Sequence, residues 1–374
     1  MAAPSLYIHL PFCKKKCNYC DFVSYAGKEE LIDEYVETLI QEIKLQLPTL
    51  DAPLSTIFFG GGTPTLLEPK HYEKILTTLS WKPATMSSRL PEIEITIEAN
   101  PGTADLNKLK ELRSLGINRL SIGIQSFHDH HLQTLGRIHS SSQALHFYED
   151  ARAVGFENIS LDLIFALPDQ SFEEWKKDLQ QAIALNPEHL SAYSLQIEEG
   201  TPFWEMTNDK LKMKNEGKAL NLPTEEVALA MYEYTIEALW LTGYKHYEIS
   251  NFAKAGKECR HNLHYWQMGN WLGVGAGAHS HVDGKLWANV DSIEEYLIRK
   301  PATVSSRFPD EARRNELLFM GLRLLDGLPT EKFHGFEKEV AELIADGLLK
   351  EENGNYKLTK QGLYLGNLVF EKFV

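Results

Sequence analysis

The stretch SLYIHLPFCKKKCNYCDF, at residues 5–22, determines how the rest of the chain is interpreted. An apolar, β-rich run leads directly into a loop that holds Cys13, Cys17 and Cys20 in a C-x3-C-x2-C spacing. Three thiolates on one short loop can converge on three corners of a [4Fe–4S] cube, whereas the usual cluster takes four Cys ligands. The fourth iron then stays open to a small chelating molecule, much as a catalytic zinc keeps one open position.

A structural zinc site and a disulfide framework are the alternatives for these cysteines. A structural zinc takes four ligands, and no Cys or His occurs in the fifty residues after Cys20. Three of the four cysteines of the chain fall within eight residues, which is too clustered for disulfides and is typical of metal binding in a reducing compartment. The spacing and the preceding strand favour the iron–sulfur cluster.

Strand-like and helix-like segments alternate over the first two hundred residues. Amphipathic stretches such as 31–46 and 172–185 separate six β-rich runs, which lie at 5–10, 55–60, 92–98, 118–124, 158–165 and 189–197. This alternation is typical of a parallel sheet built from βαβ units. We therefore predict an α/β fold in which six units form an open, barrel-like sheet.

The rest of the chain divides into two further parts. A helix is predicted over 224–242, and a stretch dense in Tyr, Trp, His and Gly follows over 244–281. The tail ends in a helix, helix, strand and helix order, with the turn EENGN as the tip of a β-wing. We predict a core, an extension and a C-terminal winged-helix-like α+β domain, with bounds at 1–223, 224–305 and 306–374. Because the tail is not strongly basic, packing or partner contact is favoured over DNA binding.

The composition is that of a soluble globular protein, and it excludes several classes. A formal net charge of −14 argues against a general polyanion binder, so we predict no nucleic-acid partner. No apolar run approaches the roughly 18 residues that cross a bilayer. The amino terminus has no basic segment before an apolar one and does not have the pattern of a signal peptide. We predict a cytoplasmic location.

Several motifs follow one another in a fixed order along the chain. They are the cysteine loop with CDF at 20–22, GGGTPT at 60–65, EANPG at 98–102, RLSIGIQSF at 119–127, LGR at 135–137 and LDLIFALPDQ at 161–170. In these motifs the chain resembles the oxygen-independent coproporphyrinogen III oxidase-like family of the radical-SAM superfamily, collinearly and over essentially its whole length. It is most similar to the haem chaperones of the HemW type. The resemblance implies a radical-SAM partial (β/α)6 barrel with a [4Fe–4S] cluster and S-adenosylmethionine (SAM).

The resemblance also implies SAM-binding roles for residues at the predicted strand ends and in the cysteine loop. Glu98 and the glycine run would hold the methionyl ammonium, Arg137 the carboxylate, Asp162 the ribose, and Tyr19 the adenine. The full set is Tyr7, Tyr19, Gly61, Gly62, Thr63, Glu98, Gln125, Arg137 and Asp162. Taken singly, each is compatible with an ordinary role: the glycines with a tight turn, Tyr7 with a core position, and the polar residues with the surface.

Two departures separate the chain from the decarboxylating members of that family. Those members carry a fourth cysteine two residues after the third, where this chain has Phe22. They also have a long N-terminal extension, whereas only twelve residues precede Cys13 here. Both differences argue against oxidation of coproporphyrinogen. We assign no catalytic residue from the sequence.

The segment CRHNLHYW, at 259–266, contains the H-N-x-x-Y-W signature of the haem-chaperone type. A neutral imidazole is a natural axial ligand for haem iron, so His261 is the candidate ligand. His264 occupies a variable position of the motif and is a weaker candidate. Cys259 could also ligate iron but is expected to be a small buried side chain. An aromatic cluster that merely closes the barrel, with His261 hydrogen-bonded inside it, is the alternative.

Two functions therefore remain. The favoured one is a haem-binding chaperone that delivers haem to apo-haem proteins of respiration, with contact to a membrane surface left open by the resemblance. The alternative is an oxygen-independent coproporphyrinogen III dehydrogenase that decarboxylates propionate side chains. The expected cofactors are the [4Fe–4S] cluster, SAM and haem.

Overall fold

The structure is a computed structural model that describes residues 3–50, 52–79, 93–207, 220–299, 306–307 and 310–373. Its strands, in chain order, are β1 (Ser5–Leu10), β2 (Phe12–Cys13), β3 (Tyr25–Ala26), β4 (Thr56–Gly61), β5 (Glu94–Ala99), β6 (Arg119–Gln125), β7 (Ile159–Phe165), β8 (His189–Ser194), β9 (Lys245–Glu248), β10 (Asn251–Ala253), β11 (Trp271–Val274), β12 (His279–Val282), β13 (Lys285–Ala288), β14 (Ser306–Arg307), β15 (Leu328–Pro329), β16 (Leu349–Glu352) and β17 (Asn355–Leu358).

Helices connect these strands, and those between the parallel strands pack on the outer face of the sheet. In chain order the helices are α1 (Ile32–Gln46), α2 (Pro69–Thr78), α3 (Leu106–Ser114), α4 (Asp129–Leu135), α5 (Ser141–Ala153), α6 (Phe172–Ala184), α7 (Pro202–Thr207), α8 (Glu225–Leu241), α9 (Arg260–Trp266), α10 (Ile293–Arg299), α11 (Asp310–Gly321), α12 (Glu337–Ala345), α13 (Lys360–Tyr364) and α14 (Gly366–Phe370). Over the described residues, no helix combines the length and the apolar character that crossing a membrane requires.

The six predicted strands form the centre of the main sheet. β1, β4, β5, β6, β7 and β8 pair in that order, and every one of these pairs is parallel. This arrangement confirms the predicted partial (β/α)6 barrel. Each strand begins at or within two residues of its predicted start.

Further strands extend this sheet at both edges. β11 joins the free side of β1 in parallel, followed by β12, β13 and β14 in antiparallel order, and β10 and β9 follow β8. The region after residue 244 therefore adds strands to the core sheet, which the sequence analysis did not predict.

Both faces of the central strands are buried, but their chemistry differs. The outer face packs on the helices through apolar residues such as Ile8, Ile57 and Ile122, which have essentially no exposed surface. The inner face alternates with it and carries Thr56, Arg119 and other polar residues that are equally buried. The inside of the barrel is therefore polar. We call the carboxyl ends of the parallel strands the upper end of the barrel and their amino ends the lower end.

The C-terminal part has its own apolar core and a three-stranded sheet in the order β15, β17, β16. The hairpin between β16 and β17 turns at Asn353 and Gly354, whose φ values of 57° and 79° are those of a tight type I′ turn. This hairpin is the predicted wing. Together with α11 and α12 it gives the winged-helix-like α+β arrangement that the sequence predicted.

Candidate cluster and cofactor site

A cavity of about 390 Å³ opens at the upper end of the barrel, where parallel barrels place their chemistry. It brings together the three cysteines of the loop and eight of the nine residues predicted to bind SAM. Those eight are Tyr19, Gly61, Gly62, Thr63, Glu98, Gln125, Arg137 and Asp162. Phe22 also lines the cavity and is 64% exposed.

Each thiol of the cysteine loop has a polar group beside it. Thr63 Oγ1 donates to Cys13 Sγ at 3.6 Å, and Arg137 Nη1 donates to Cys17 Sγ at 3.6 Å. Cys20 Sγ lies 4.0 Å from Ser24 Oγ. Hydrogen bonds to cysteine sulfurs are one of the ways in which a protein tunes a bound cluster. Three free thiols facing one cavity, each with such a neighbour, fit a [4Fe–4S] cluster with one open iron.

The glycines at the end of β4 allow the cysteine loop to lie directly against the barrel. The backbone N–H groups of Gly62 and Thr63 donate to Leu10 O at 2.9 Å and to Phe12 O at 2.7 Å. A Cβ atom added at Gly62 would lie 2.6 Å from Phe12 O, so a larger residue does not fit there. Gly61 has a φ of 113°, which also favours glycine. These glycines therefore hold the loop in place as well as lining the cavity.

Glu98 lies near the end of β5, and its side chain is partly buried. Gly61 N donates to its Oε2 at 3.0 Å. Burial, and secondly the nearby Asp162 carboxylate, raise the pKa of Glu98 to about 8. A carboxyl group in this state gains from a cation in the cavity, because the cation stabilises its charged form. This position fits the methionyl ammonium of SAM.

Arg137 follows immediately after α4, which ends at Gly136 in the left-handed conformation with a φ of 77°. Its Nη2 donates to Asn100 Oδ1 at 2.5 Å and to Gly123 O at 2.6 Å. Its buried Nε makes no hydrogen bond within the described part of the chain. Since an orphaned buried donor is costly, this group fits an anionic ligand such as the SAM carboxylate.

Gln125 ends β6 in a strained conformation. Its φ is 69°, and the register of β6 against β7 shifts between Gly123 and Gln125. Such a bulge changes the direction in which a side chain points and is common beside functional sites. A Cβ atom at Gly123 would lie 2.9 Å from Gln125 Nε2 and 2.8 Å from Asn100 Oδ1, so the glycine leaves room for both side chains.

Asn100 and Gly123 are cavity residues that the sequence analysis did not single out. Both lie inside quoted motifs, Asn100 two residues after Glu98 and Gly123 two residues before Gln125. The two-residue period of a strand was the signal that could have identified them, because it places alternate residues on one face.

Asp162 and Tyr19 both line the cavity. The two carboxylate oxygens of Asp162 accept hydrogen bonds from Ser121 Oγ at 2.9 Å and Ser160 Oγ at 3.1 Å. Burial raises the pKa of Asp162 above its ordinary value. Burial also raises the pKa of Tyr19, whose ring packs against an apolar cluster that includes Ile164.

Tyr7 is the predicted SAM residue that does not line the cavity. Its hydroxyl is hydrogen-bonded to His9 Nδ1 at 2.9 Å, and its ring lies 6.1 Å from that of Phe58. A Cβ atom at Gly60 would lie 3.0 Å from Tyr7 Cε2 and 3.2 Å from Glu98 Oε2, so both side chains border the same glycine. Tyr7 is therefore a neighbour of the cavity residue Glu98 but does not itself line the cavity.

His261 lies at the lower end of the barrel, apart from the cavity. Its imidazole is 1% exposed and stacks on Phe58 at 4.9 Å. One ring nitrogen, Nδ1, is hydrogen-bonded to Thr56 Oγ1 at 2.6 Å, and the other, Nε2, to the Tyr265 hydroxyl at 2.7 Å. Burial holds the pKa of His261 well below its usual range, so the ring is neutral. Its role as haem ligand stays a prediction, and that role requires one of these hydrogen bonds to break.

The other residues of the 259–266 segment are also packed. Cys259 is fully buried, as predicted, and its Sγ donates to Glu94 Oε1 at 3.8 Å. His264 Nε2 is hydrogen-bonded to Asn270 O at 2.6 Å. The guanidinium of Arg323 lies 4.8 Å from the centre of the Trp266 ring, which connects this segment to the C-terminal part.

The glycine run at 273–281 lies close to neighbouring backbone. A Cβ atom at Gly275 would lie 2.5 Å from His9 O. The run does not belong to the cavity lining. Its glycines bring β11 and the following turn against β1 and the cysteine loop.

Two family models match the chain. The model of the Radical SAM superfamily matches residues 7–182, and the model of the HemN C-terminal domain matches residues 308–365. The first match contains the cysteine loop and every predicted SAM residue.

The chain is similar over its full length to proteins named heme chaperone HemW. It is 38% identical to that of Bacillus subtilis (strain 168), with 99% of both chains covered, and 35% identical to that of Escherichia coli (strain K12), with 99% of this chain and 98% of the relative covered. It is also 35% identical to the mitochondrial radical S-adenosyl methionine domain-containing protein 1 of Danio rerio, with 90% and 76% covered.

Among solved structures, the chain is similar to the coproporphyrinogen III oxidase HemN of Escherichia coli, described as a radical SAM enzyme. The TM-score is 0.79 at 23% sequence identity, and the match covers 99% of this chain and 90% of that one. At this identity the likeness supports the fold.

Proposed function

We propose a function for the chain from its family, since it belongs to the radical SAM superfamily and, within it, to the HemW family of haem chaperones. We propose that it carries a [4Fe–4S] cluster on Cys13, Cys17 and Cys20, binds SAM in the adjoining cavity, and binds haem for delivery to apo-haem proteins of respiration. The single observation that carries this proposal is the match to haem chaperones over 99% of both chains.

Each group of the cavity has a defined task in SAM binding. The Glu98 carboxylate pairs with the methionyl ammonium, and the Arg137 guanidinium pairs with the carboxylate through the nitrogen that the protein leaves unbonded. Asp162 accepts from the ribose, and the Tyr19 ring packs on the adenine. When bound, the reduced cluster supplies the electron for reductive cleavage of SAM.

Phe22 supports the chaperone function over a decarboxylase. Its side chain lies at the rim of the cavity with 64% of its surface exposed, at the position where decarboxylating relatives carry another cysteine. An exposed phenyl ring offers apolar contact to a flat ligand but no thiol chemistry. The likeness to coproporphyrinogen III oxidase extends to the fold, which hosts many functions.

The test uses anaerobically reconstituted protein that carries its cluster. Haem titration is expected to saturate at about one haem per chain, and the loaded protein is expected to transfer haem to an apo-cytochrome, read by its Soret band. Incubation with SAM and coproporphyrinogen III is expected to give no protoporphyrinogen IX. Turnover of that substrate would replace the chaperone function by the dehydrogenase alternative.

The proposed axial ligand has its own pair of variants. Tyr265→Phe removes the hydroxyl that occupies His261 Nε2, whereas His261→Ala removes the imidazole. If His261 binds the iron, the Soret band shifts in His261→Ala, and Tyr265→Phe retains haem. An unchanged Soret band in His261→Ala would assign the ligand elsewhere and leave the haem-binding proposal intact.

A further inference from the structure

Two helices on the outside of the barrel bring three metal-binding side chains together, away from the cluster site. His130 and His131 lie in the first turn of α4, and Glu174 lies in the first turn of α6. One ligand atom of each residue lies within 4.8 Å of those of the other two. The two imidazole rings are close to each other, with centroids 4.0 Å apart.

His131 is the observation that requires an explanation. Its side chain is 1% exposed, and neither Nδ1 nor Nε2 makes a hydrogen bond within the part of the chain that the structure describes. Glu174 Oε2 lies 3.8 Å from its Nε2, beyond hydrogen-bond distance. A buried imidazole with both nitrogens unsatisfied is costly for the folded state. An ion pair between His130 and Glu174 would explain why those two side chains lie together, but it would not explain the unsatisfied ring of His131.

The carboxylate of Glu174 is fixed in a way that leaves one oxygen available. Ser171 donates to Glu174 Oε2 from its backbone N–H at 2.9 Å and from its hydroxyl at 2.7 Å, in the capping box that begins α6. The other oxygen, Oε1, lies 3.2 Å from His130 Nε2. Ligands at about 2.0–2.1 Å from a tetrahedral zinc are roughly 3.3 Å apart, so this pair already has the spacing of two zinc ligands.

The neighbouring His128 belongs to a different set of contacts. Its Nε2 lies 3.3 Å from the backbone oxygen of Glu174 and 3.8 Å from the buried carboxylate of Asp178. Two imidazoles and one carboxylate therefore remain as ligands, which leaves one position of a tetrahedral ion for water.

We propose that His130, His131 and Glu174 bind one divalent first-row transition ion of the Zn²⁺ class. Imidazole nitrogens favour such ions over Mg²⁺ and Ca²⁺, which prefer oxygen ligands. The ion satisfies the buried His131 ring and joins α4 to α6. Because Gly136 and Arg137 follow directly at the end of α4, the ion would also fix the segment that presents Arg137 to the cavity.

The test measures Zn²⁺ binding by cluster-loaded protein under anaerobic conditions, with calorimetry for affinity and metal analysis for stoichiometry. The loaded cluster occupies the cysteines that would otherwise bind zinc, and an unchanged iron content verifies this. We expect about one Zn²⁺ per chain beyond the iron, and a higher melting temperature when it is bound.

Variants assign the ligands. Even outer-shell partners of a metal are worth about 10–100-fold in affinity, so His130→Ala and Glu174→Gln are each expected to weaken Zn²⁺ binding by more than about 100-fold. His130 is exposed, so its replacement does not threaten folding. The matched control is His146→Ala, an exposed histidine on α5, which is expected to bind Zn²⁺ like the wild type.

Two results would overturn the proposal. One is the absence of Zn²⁺ binding in folded, cluster-loaded wild-type protein. The other is Zn²⁺ binding that His130→Ala leaves unchanged. The triple variant Cys13→Ala, Cys17→Ala, Cys20→Ala gives a second measurement, because it removes the competing thiols and is expected to retain the one Zn²⁺.

Discussion

The two ends of one barrel use similar residues in opposite ways. At the upper end, Arg137 Nε has no partner within the described residues, the pKa of Glu98 is raised, and Gln125 has a positive φ. At the lower end, both ring nitrogens of His261 are hydrogen-bonded and Cys259 is paired with a carboxylate. Arg119 Nε and Trp266 Nε1 have no partner within the described residues, but neither lines the cavity. Incompletely satisfied groups around a cavity indicate a ligand site, whereas satisfied groups indicate packing.

The two ends of the barrel therefore contribute differently to ligand binding and to stability. The upper end stores unfavourable interactions that a ligand can relieve, so its residues are expected to affect binding more than stability. The lower end closes the barrel through α9, so its residues are expected to affect stability first.

Loss of the cluster thiols is expected to have the largest effect. Wild-type protein purified without oxygen should contain about four irons per chain, and Cys13→Ala, Cys17→Ala and Cys20→Ala should each abolish them. The measurement is iron and sulfide analysis. Cys259→Ala is the control, since this thiol lies at the lower end and its loss should leave the iron content unchanged. Iron retained in the triple variant, or zinc alone in the wild type, would refute the cluster assignment.

Removing the imidazole at the lower end is expected to reduce stability. His261→Ala leaves a cavity beside Phe58, removes the partner of the Tyr265 hydroxyl, and leaves Thr56 Oγ1 with only its bond to Ser5 Oγ. We expect a loss of about 2–4 kcal/mol in the free energy of unfolding, measured by urea denaturation. The iron content of the folded variant should match the wild type. A variant as stable as the wild type would show that α9 does not hold the barrel closed.

The sequence predicted the upper end well because its signals are local. The alternation of segments predicts where the strands end. Because the strands are parallel, Glu98, Gln125 and Asp162 lie towards the same end of the barrel, whatever the conformation of the loops. The spacing of the cysteines likewise predicted that they meet.

The sequence predicted less about the edges of the sheet and the lower end. β9 to β14 are strands of only two to four residues, too short for a clear alternating pattern. The two that attach to the core sheet, β10 on β8 and β11 on β1, pair with strands far away in the sequence. The packing of His261 against Thr56 is a contact across 205 residues. The composition of 259–266 allowed both a ligand and a packed cluster, and only the tertiary structure gives the partners of each nitrogen. The same holds for His131 and Glu174, which no motif connects.

Arg137 tests whether the upper end binds SAM through the group that the protein leaves unpaired. Arg137→Ala should weaken SAM binding by about 1.5–3 kcal/mol, the usual range for hydrogen bonds to a charged group, measured by calorimetry on cluster-loaded protein. The iron content should stay at the wild-type level. Arg113→Ala, on α3 outside the cavity, is the matched control and should bind SAM normally. Equal affinity in Arg137→Ala would place Arg137 outside the SAM site.

Replacement of Glu98 is expected to have the smallest effect. It tests most directly whether a group at the upper end destabilises the ligand-free protein. Its pKa rises from 4.5 in the unfolded chain to about 8 in the ligand-free fold, through burial and then the charge of Asp162. The folded protein therefore holds a proton that the unfolded chain releases, so the contribution of Glu98 to stability is complete below pH 4.5 and is lost as the pH rises through 8.

Glu98→Gln keeps the shape of the side chain and cannot ionise, so it isolates this contribution. Its stability relative to the cluster-free wild type should increase by about 1 kcal/mol for each pH unit between pH 6 and 7.5, close to the limit for one proton. Urea denaturation of both proteins at three pH values measures the difference. Histidines titrate in the same range but are common to both proteins, so their contributions cancel. If the free energies of unfolding of the two proteins change in parallel with pH, Glu98 is ionised in the ligand-free barrel. Its carboxyl group then does not destabilise the folded protein as the pH rises.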